Sequence, residues 1–461
     1  MSQALDGFRQ TLRAEYERRF PRSRDHFRKH DRSVLDQTSH AIRWNEPFPP
    51  VIRKAEGAAV EDLDGHRIVD YWQGHFANIH GHNPPHIRRA LVDALNEGRG
   101  LQSGMLHEIE AEVSELICRC TGTEIVRLTT SGTLATLYAT LLARGYTGRS
   151  RVLKVTGGWH GSQPFGLKGV VVRDGAKGRL ESEGLWSGAE DEILLTRFND
   201  LEDLGRVFQG SGDSIACFIM EPVLGAAGGM PASAAYLKEA RRLTEKHGAL
   251  LVCDEIVTGF RFRAGDCSSL YGVRPDLMTI GKILGGGMPV AAVAGRREIL
   301  DLCTRGSGRV KFEGGTYSAH ELSLVAARTQ LRDLMENEET IYARLGRLGS
   351  SLREGIARVS REFSLPLFIL GGPGEVLRSS SLVPLHVGHE DDRIPACPEE
   401  LAERRHPVID ERLLQSVLLL EDVSGKHGFG SIATAHTEDD LDRTLEGLRA
   451  ALTRFRSAGL I

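Results

Sequence analysis

The sequence predicts an α/β fold with a doubly wound, mostly parallel sheet, and three observations lead there. Short apolar runs recur at residues 125–128, 152–155, 215–220, 250–253 and 277–280, without the polar alternation of a half-exposed sheet. Such runs mark strands buried on both faces. Helically spaced stretches, such as 134–144 and 234–246, alternate with them. The runs end on small, hydroxyl or charged residues: Thr129 to Thr133, Gly157 to Gly161, Glu221-Pro222, Asp254-Glu255 and Gly281-Lys282. In open α/β sheets ligands bind beyond the carboxyl ends of the strands, so these residues are the natural place for a site.

The chain has 461 residues, enough for roughly two to four domains and a sizeable core. Lys and Arg number 58 against 62 Asp and Glu, a near balance that implies neither a nucleic acid nor a membrane surface as partner. Seven cysteines are scattered, and the 118/120 spacing suits neither a zinc knuckle nor a redox pair, so reduced thiols in a cytoplasmic protein are expected. No apolar run approaches the ~20 residues of a membrane-spanning helix. Arginines crowd the first thirty residues, but Asp6, Glu15, Glu17 and Asp25 argue against a transit peptide. A charged helix on the surface or against a partner is expected there.

Residues 38–50 are broken by prolines and read as irregular. Alternation around Asp64-Gly65 predicts a hairpin over 58–71. His75, His80, His82 and His86 follow closely, but no carboxylate or thiol joins them at regular spacing, and no metal is expected. Helices are predicted at 84–96 and 108–120, then a strand at 125–128 and a helix at 134–144 closed by Gly145. After the strand at 152–155, residues 171–190 read as a polar loop. Strand 215–220, helix 234–246 and strands 250–253, 277–280 and 290–294 continue the alternation, and 321–335 is a long helix. Beyond Asn337, helices at 341–359 and 439–455 flank short strands and a charged loop at 389–407. The expected partition is an N-terminal arm and substrate loop (1–57), a large domain (106–336) and a smaller α+β domain built from 58–105 and 337–461.

Asp254 and Lys282 each lie just past a strand end. Pyridoxal 5'-phosphate (PLP) demands that pair: a lysine amine to condense with its aldehyde, and a carboxylate to keep its ring nitrogen protonated. The plain alternative is an acid and a lysine in surface loops. Ser131, Gly132 and Thr133 stand at a helix N-terminus, which either seats a phosphate or is ordinarily capped. Trp159 either covers a flat heterocycle or belongs to the core. Glu221 ends a further strand. Residues of this kind at successive strand ends of one sheet favour a shared site.

These pieces, SGT (131–133), GWHG (158–161), EPV (221–223), DEIVTGFR (254–261) and PDLMTIGKILGGGMPV (275–290), resemble class III PLP-dependent aminotransferases. The nearest likeness is to the glutamate-1-semialdehyde 2,1-aminomutase-like subgroup, which includes β-amino-acid aminotransferases. It runs from about 58 to 324 and resumes weakly at 430–445. The resemblance implies the PLP-dependent transferase fold type I, with 106–336 as the cofactor domain. It implies Lys282 as the residue that carries PLP, Asp254 as the partner of the ring nitrogen, and Ile256 beneath the ring. Trp159 takes the place of a stacking aromatic that is usually Tyr, with His160 and Glu221 beside the cofactor and Ser131, Gly132 and Thr133 at its phosphate. Thr316, in GGTYS, matches a threonine that reaches the neighbouring subunit's cofactor, which implies a homodimer with shared sites. Arg43 matches an arginine for the substrate carboxylate.

The departures lie on the substrate side. Leu134 stands where the family has Glu, Thr130 where it has Asn, and Gly428 where it has Glu. His75 replaces a pocket aromatic, and Trp72 and Phe76 add bulk beside it. An aminotransferase is therefore expected, moving an amino group between a carboxylate-bearing amine and a keto or aldehyde acceptor. Intramolecular transfer by an aminomutase is the alternative. Racemisation and PLP binding without turnover are lesser ones.

Overall fold

The structure is a computed structural model that describes residues 2–30, 33–172, 178–374, 376–377, 379–389 and 393–461. Its central sheet has seven strands in the order Ile125–Thr129, Ala291–Gly295, Leu277–Ile280, Leu250–Glu255, Ile215–Met220, Arg151–Val155, Ile193–Thr196. The last five are mutually parallel, whereas Ala291–Gly295 runs antiparallel to both its neighbours. The reason is reach. Only residues 281–290 separate it from the preceding strand, and a parallel return needs a crossover of about a dozen residues or more.

Alternate residues of the central strands feed two cores. Leu250 and Val252, with Cys217 and Ile219, pack towards Ala135, Ala139 and Leu142 of helix Gly132–Thr147. Leu251 and Cys253, with Phe218 and Met220, face Tyr236 and Leu237 of helix Ala234–His247 and Phe208 of helix Leu201–Ser211. This period of two carries past the apolar run. Asp254 therefore points to the side of helix Gly132–Thr147, and Glu255 to the opposite side. Glu255 is buried there, accepting from the N–H groups of Cys267 (3.0 Å) and Ser268 (2.7 Å).

Three local expectations need correction. Helix Gly132–Thr147 runs through Gly145 and stops at Gly148, whose φ is +69°. Gly145 is small for packing, since a Cβ there would lie 2.7 Å from Val310 Cγ2. The N-terminal helices, Ser2–Arg19 and Pro21–His30, are not a loose arm: Leu12, Tyr16, Phe20 and Phe27 are buried in their own chain's core. Arg19 pairs with Asp422 (2.5 Å) and Glu15 with Arg454 (2.9 Å). Strand Ile52–Glu56, in a stretch with no strand expected, joins the predicted hairpin Ala59–Asp62/Arg67–Asp70. Val423–Ser424 adds on in parallel, so both chain ends share one small sheet.

Candidate active site

The carboxyl ends of the parallel strands converge on Asp254, which is only 3% exposed. Its partner in register on the next strand is Thr279, whose hydroxyl donates to Oδ1 at 2.9 Å, and Ile256 N donates to the same oxygen at 3.1 Å. Oδ2 lies 2.8 Å from His160 Nδ1. An ionised carboxylate only accepts, so Nδ1 carries the hydrogen and Nε2 presents a lone pair. That Nε2 is buried and has no partner among the described residues. Burial pulls the His160 pKa down and Asp254 pulls it up, the balance lying below the ordinary value.

Lys282 opens the turn that follows the neighbouring strand, with φ at +48°. For a residue with a Cβ this left-handed geometry costs on the order of 1–2 kcal/mol, a strain tolerated where the surroundings over-determine it. Desolvation lowers the pKa of its amine, Asp254 and Glu221 raise it, and buried Arg261 lowers it further, leaving it below the usual lysine value. Glu221 is buried. Its carboxylate accepts from Trp159 N (2.9 Å) and Gly225 N (2.8 Å), but burial, followed by the nearby Asp254, pushes its pKa up to about 8.

Ile256 is clasped between two glycines. A Cβ on Gly132 would stand 3.0 Å from its Cγ2, and one on Gly281 3.1 Å from its Cδ1. The isoleucine thus ties the helix N-terminus, the Asp254 strand end and the Lys282 turn together. Ser131 caps the helix by accepting from Leu134 N at 3.3 Å, while the N–H groups of the first turn, Gly132 and Thr133 among them, have no intrahelical partner. The turn carrying Trp159 lies against this end, for a Cβ on Gly161 would be 2.7 Å from Thr133 Cα. Lys154 holds the turn from beneath. Fully buried, it donates to the carbonyls of Gly158 (2.9 Å), Gly166 (3.1 Å) and Lys168 (2.7 Å), and burial draws its pKa down to about 7. A lysine inside an apolar strand was the available signal for it. Trp159 itself is 36% exposed, an indole left partly open beside buried polar groups.

The opposite wall is built on unusual backbone. Gln73, Gly74, His75 and Phe76 are consecutive residues with φ between +45° and +68°, one left-handed turn. L-residues visit this region singly, so such a run needs support. Asp70 supplies it by accepting from Trp72 N (3.0 Å) and Gln73 N (2.9 Å), and His82 Nε2 anchors the same carboxylate at 2.9 Å. Arg261 donates to the Phe76 carbonyl.

His75, projecting from this turn, accepts from Arg43 Nε at 3.2 Å and has Trp72 at 4.6 Å and His40 at 4.8 Å between ring centroids. Burial, then the charges of His40, Arg43 and Lys282, bring its pKa down to about 4, so it stays neutral near pH 7. A depressed imidazole loses stability on acidification, because the unfolded chain takes up the proton first. Relative to His75→Gln, the wild type should therefore lose unfolding free energy as pH falls from 6.5 to about 4, with no such difference accruing above 6.5. Urea titrations of both proteins across that range measure it.

His40 and His427 also face this side, and neither receives a role from the sequence; Lys282 contributes to the lowered pKa of each. His427 stacks on Phe76 at 6.1 Å and lies 5.6 Å from Trp72. The neighbouring Gly428 departs from the family for a steric reason. With φ at +76°, a Cβ there would sit 2.0 Å from Leu385 N, which leaves no room for a glutamate. Thr316 is not brought to these residues within the chain. It is exposed, its carbonyl accepts from Gln102 (2.6 Å), and it lines a separate groove of about 910 Å³ with Met105 and Leu106.

The profile of the family "Aminotransferase class-III" matches residues 41–365. A glutamate-1-semialdehyde 2,1-aminomutase of Haloquadratum walsbyi is 33% identical over 433 residues, 89% of this chain and 95% of that protein. Among solved structures, a β-phenylalanine aminotransferase from Variovorax paradoxus superposes with a TM-score of 0.83 at 27% identity, covering 99% of this chain and 98% of that one. A transaminase solved with PLP bound gives 0.83 at 25% identity, covering 95% and 99%.

Proposed function

The chain belongs to the class-III aminotransferase family of PLP-dependent enzymes, and from that premise we propose that it moves an amino group between a carboxylate-bearing amine or amino acid and a keto or aldehyde acceptor. The observation that carries the reading is the pairing of Arg43 with a neutral His75, which itself lies within the field of Lys282. The guanidinium is held by an acceptor that brings no negative charge of its own, so a carboxylate is its natural partner.

Bound PLP supplies an electron sink for the carbanion formed at the substrate carbon. The rest is work for the chain. Asp254, oriented by Thr279, the Ile256 N–H and His160, would hold a proton on the ring nitrogen. Lys282, its amine desolvated, would carry the cofactor and then accept and return the substrate proton. Ser131, Gly132 and Thr133 would take the phosphate at the helix N-terminus, where free N–H groups and the helix dipole favour an anion. Ile256 and Trp159 would flank the ring, with Glu221 fixing the Trp159 backbone.

A second reading, intramolecular transfer, is favoured by the aminomutase relative. Against it stand His75, Trp72 and the glycine at 428, which set this substrate side apart. Incubating the PLP enzyme with a panel of amines and following products by mass spectrometry separates the two. A keto-acid requirement supports transfer between molecules; an isomerised amine without one supports the mutase. Arg43→Ala should raise KM for carboxylate-bearing amines roughly 10–100-fold, the value of a charged hydrogen-bonded contact, and leave amines without a carboxylate unaffected. Equal effects on both classes would remove Arg43 from substrate binding.

We place Thr316 at a homodimer's shared site. Leu101, Met105 and Leu106 are 80%, 78% and 88% exposed around it, an apolar patch that a second copy would cover. All seven cysteines are free thiols, which fits a cytoplasmic enzyme.

A further inference from the structure

We propose that His80, His86 and Asp333 form a divalent-cation site, of the zinc type, remote from the reacting groups. Read along the chain, the histidines at 75–86 have no carboxylate among them; the fold supplies one from about 250 residues away. His80 lies in the loop before helix Pro85–Asn96, His86 on that helix's first turn, and Asp333 on helix Glu321–Glu336. One ligand atom from each lies within 4.8 Å of the others. Zinc bonds of about 2.0–2.2 Å set tetrahedral ligands roughly 3.4 Å apart, so small side-chain rotations bring all three onto one ion.

Two further observations point to a ligand. Nε2 of His80 and Nε2 of His86 are both buried and without a hydrogen-bond partner among the described residues. The first stands 3.1 Å from Asp333 Oδ2, close enough for a hydrogen bond but wrongly angled for one. Leaving such nitrogens buried and unpaired is unfavourable, and a proton on His80 would still leave His86 without a partner. A cation satisfies both nitrogens and the carboxylate together. The other two histidines of the run are already committed. His82 Nε2 bonds Asp70 (2.9 Å), and His75 serves the Arg43 pair.

The outer bonds agree. His80 Nδ1 lies 3.4 Å from Thr434 Oγ1, and Asp333 Oδ1 accepts from Asn337 Nδ2 at 2.9 Å. An imidazole that donates outwards through Nδ1 turns its Nε2 lone pair inwards, and outer partners of this kind orient metal ligands. Two imidazoles and one carboxylate select zinc or a similar borderline ion over magnesium or calcium, which prefer all-oxygen sites. The His80 side chain is 9% exposed and that of Asp333 28%, so the site is sheltered yet open to entry. An ion here would pin helix Glu321–Glu336 to the 80–86 segment and, through Thr434, to the C-terminal part of the chain.

The test uses tag-free holoenzyme, treated with chelator, dialysed and titrated with zinc alone. One zinc per chain should survive gel filtration, measured by elemental mass spectrometry, and Tm should rise with zinc concentration. His86→Gln and Asp333→Asn should each reduce retained zinc to trace and abolish the Tm response. Both should keep the wild-type cofactor absorbance and circular dichroism, which shows that they fold. A wild type that retains no stoichiometric zinc, or folded variants that retain it undiminished, would overturn the site.

Discussion

Lys282→Ala should lose amino transfer by on the order of ten-thousand-fold or more, because one substitution removes both a nucleophile and a proton carrier. The fold should survive. The side chain is only partly buried, and alanine meets the same φ of +48° with no larger steric demand than lysine. The clean readout is covalent. Borohydride reduction of the wild type should fix the cofactor on the peptide containing Lys282, and the variant should release it on denaturation. Lys154 is the internal control, being the fully buried lysine of this region. Its three carbonyl bonds commit it to the turn beneath Trp159, so a label there instead would refute the assignment. Small primary amines added to Lys282→Ala should restore a fraction of the rate, since the missing group is a base of modest size.

Asp254→Asn should behave differently. The amide oxygen can still accept from Thr279 and the Ile256 N–H, so the local structure is kept, but the charge that would hold a proton on the ring nitrogen is gone. The expected loss is about 100- to 1000-fold in kcat, the usual scale for removing one preorganised electrostatic contact. Covalent attachment through Lys282 should persist. Nδ2 of the new amide faces His160 Nδ1, which obliges the imidazole to move its hydrogen to Nε2. Replacing His160 by glutamine in that background should therefore cost little more. A loss confined to KM in Asp254→Asn would argue that the residue only shapes the site.

The strand-end residues were legible because a parallel sheet announces itself twice, by unbroken apolar runs and by what ends each run. Asp254 and Lys282 needed no long-range information. Thr279 did, since its bond to Asp254 depends on register between two strands. The same limit hid Asp333, which meets His80 and His86 only through helix packing, and His40 and His427, which arrive from opposite ends of the chain. The highly charged mean composition of the N-terminal helices points to the surface or a partner, whereas what seats them in their own chain is a sparse stripe of Leu12, Tyr16, Phe20 and Phe27. Gly145 looked like a helix stop, yet its absent side chain makes room for Val310. Punctuation residues carry two meanings, conformational and volumetric, and only tertiary packing separates them.

The left-handed turn at 73–76 bears on how such an enzyme could be given a new substrate. Its side chains form one wall of the site, but their directions are set by a backbone sign that Asp70, His82 and Arg261 hold in place. Gly74 cannot gain a side chain without striking Asn78 Nδ2 at 2.7 Å. Swapping single residues here would vary chemistry while leaving the vectors untouched, and a right-handed replacement would re-aim all of them at once. Retargeting would thus call for transplanting residues 70–82 as a cassette, with the buried arginine retained as its mount.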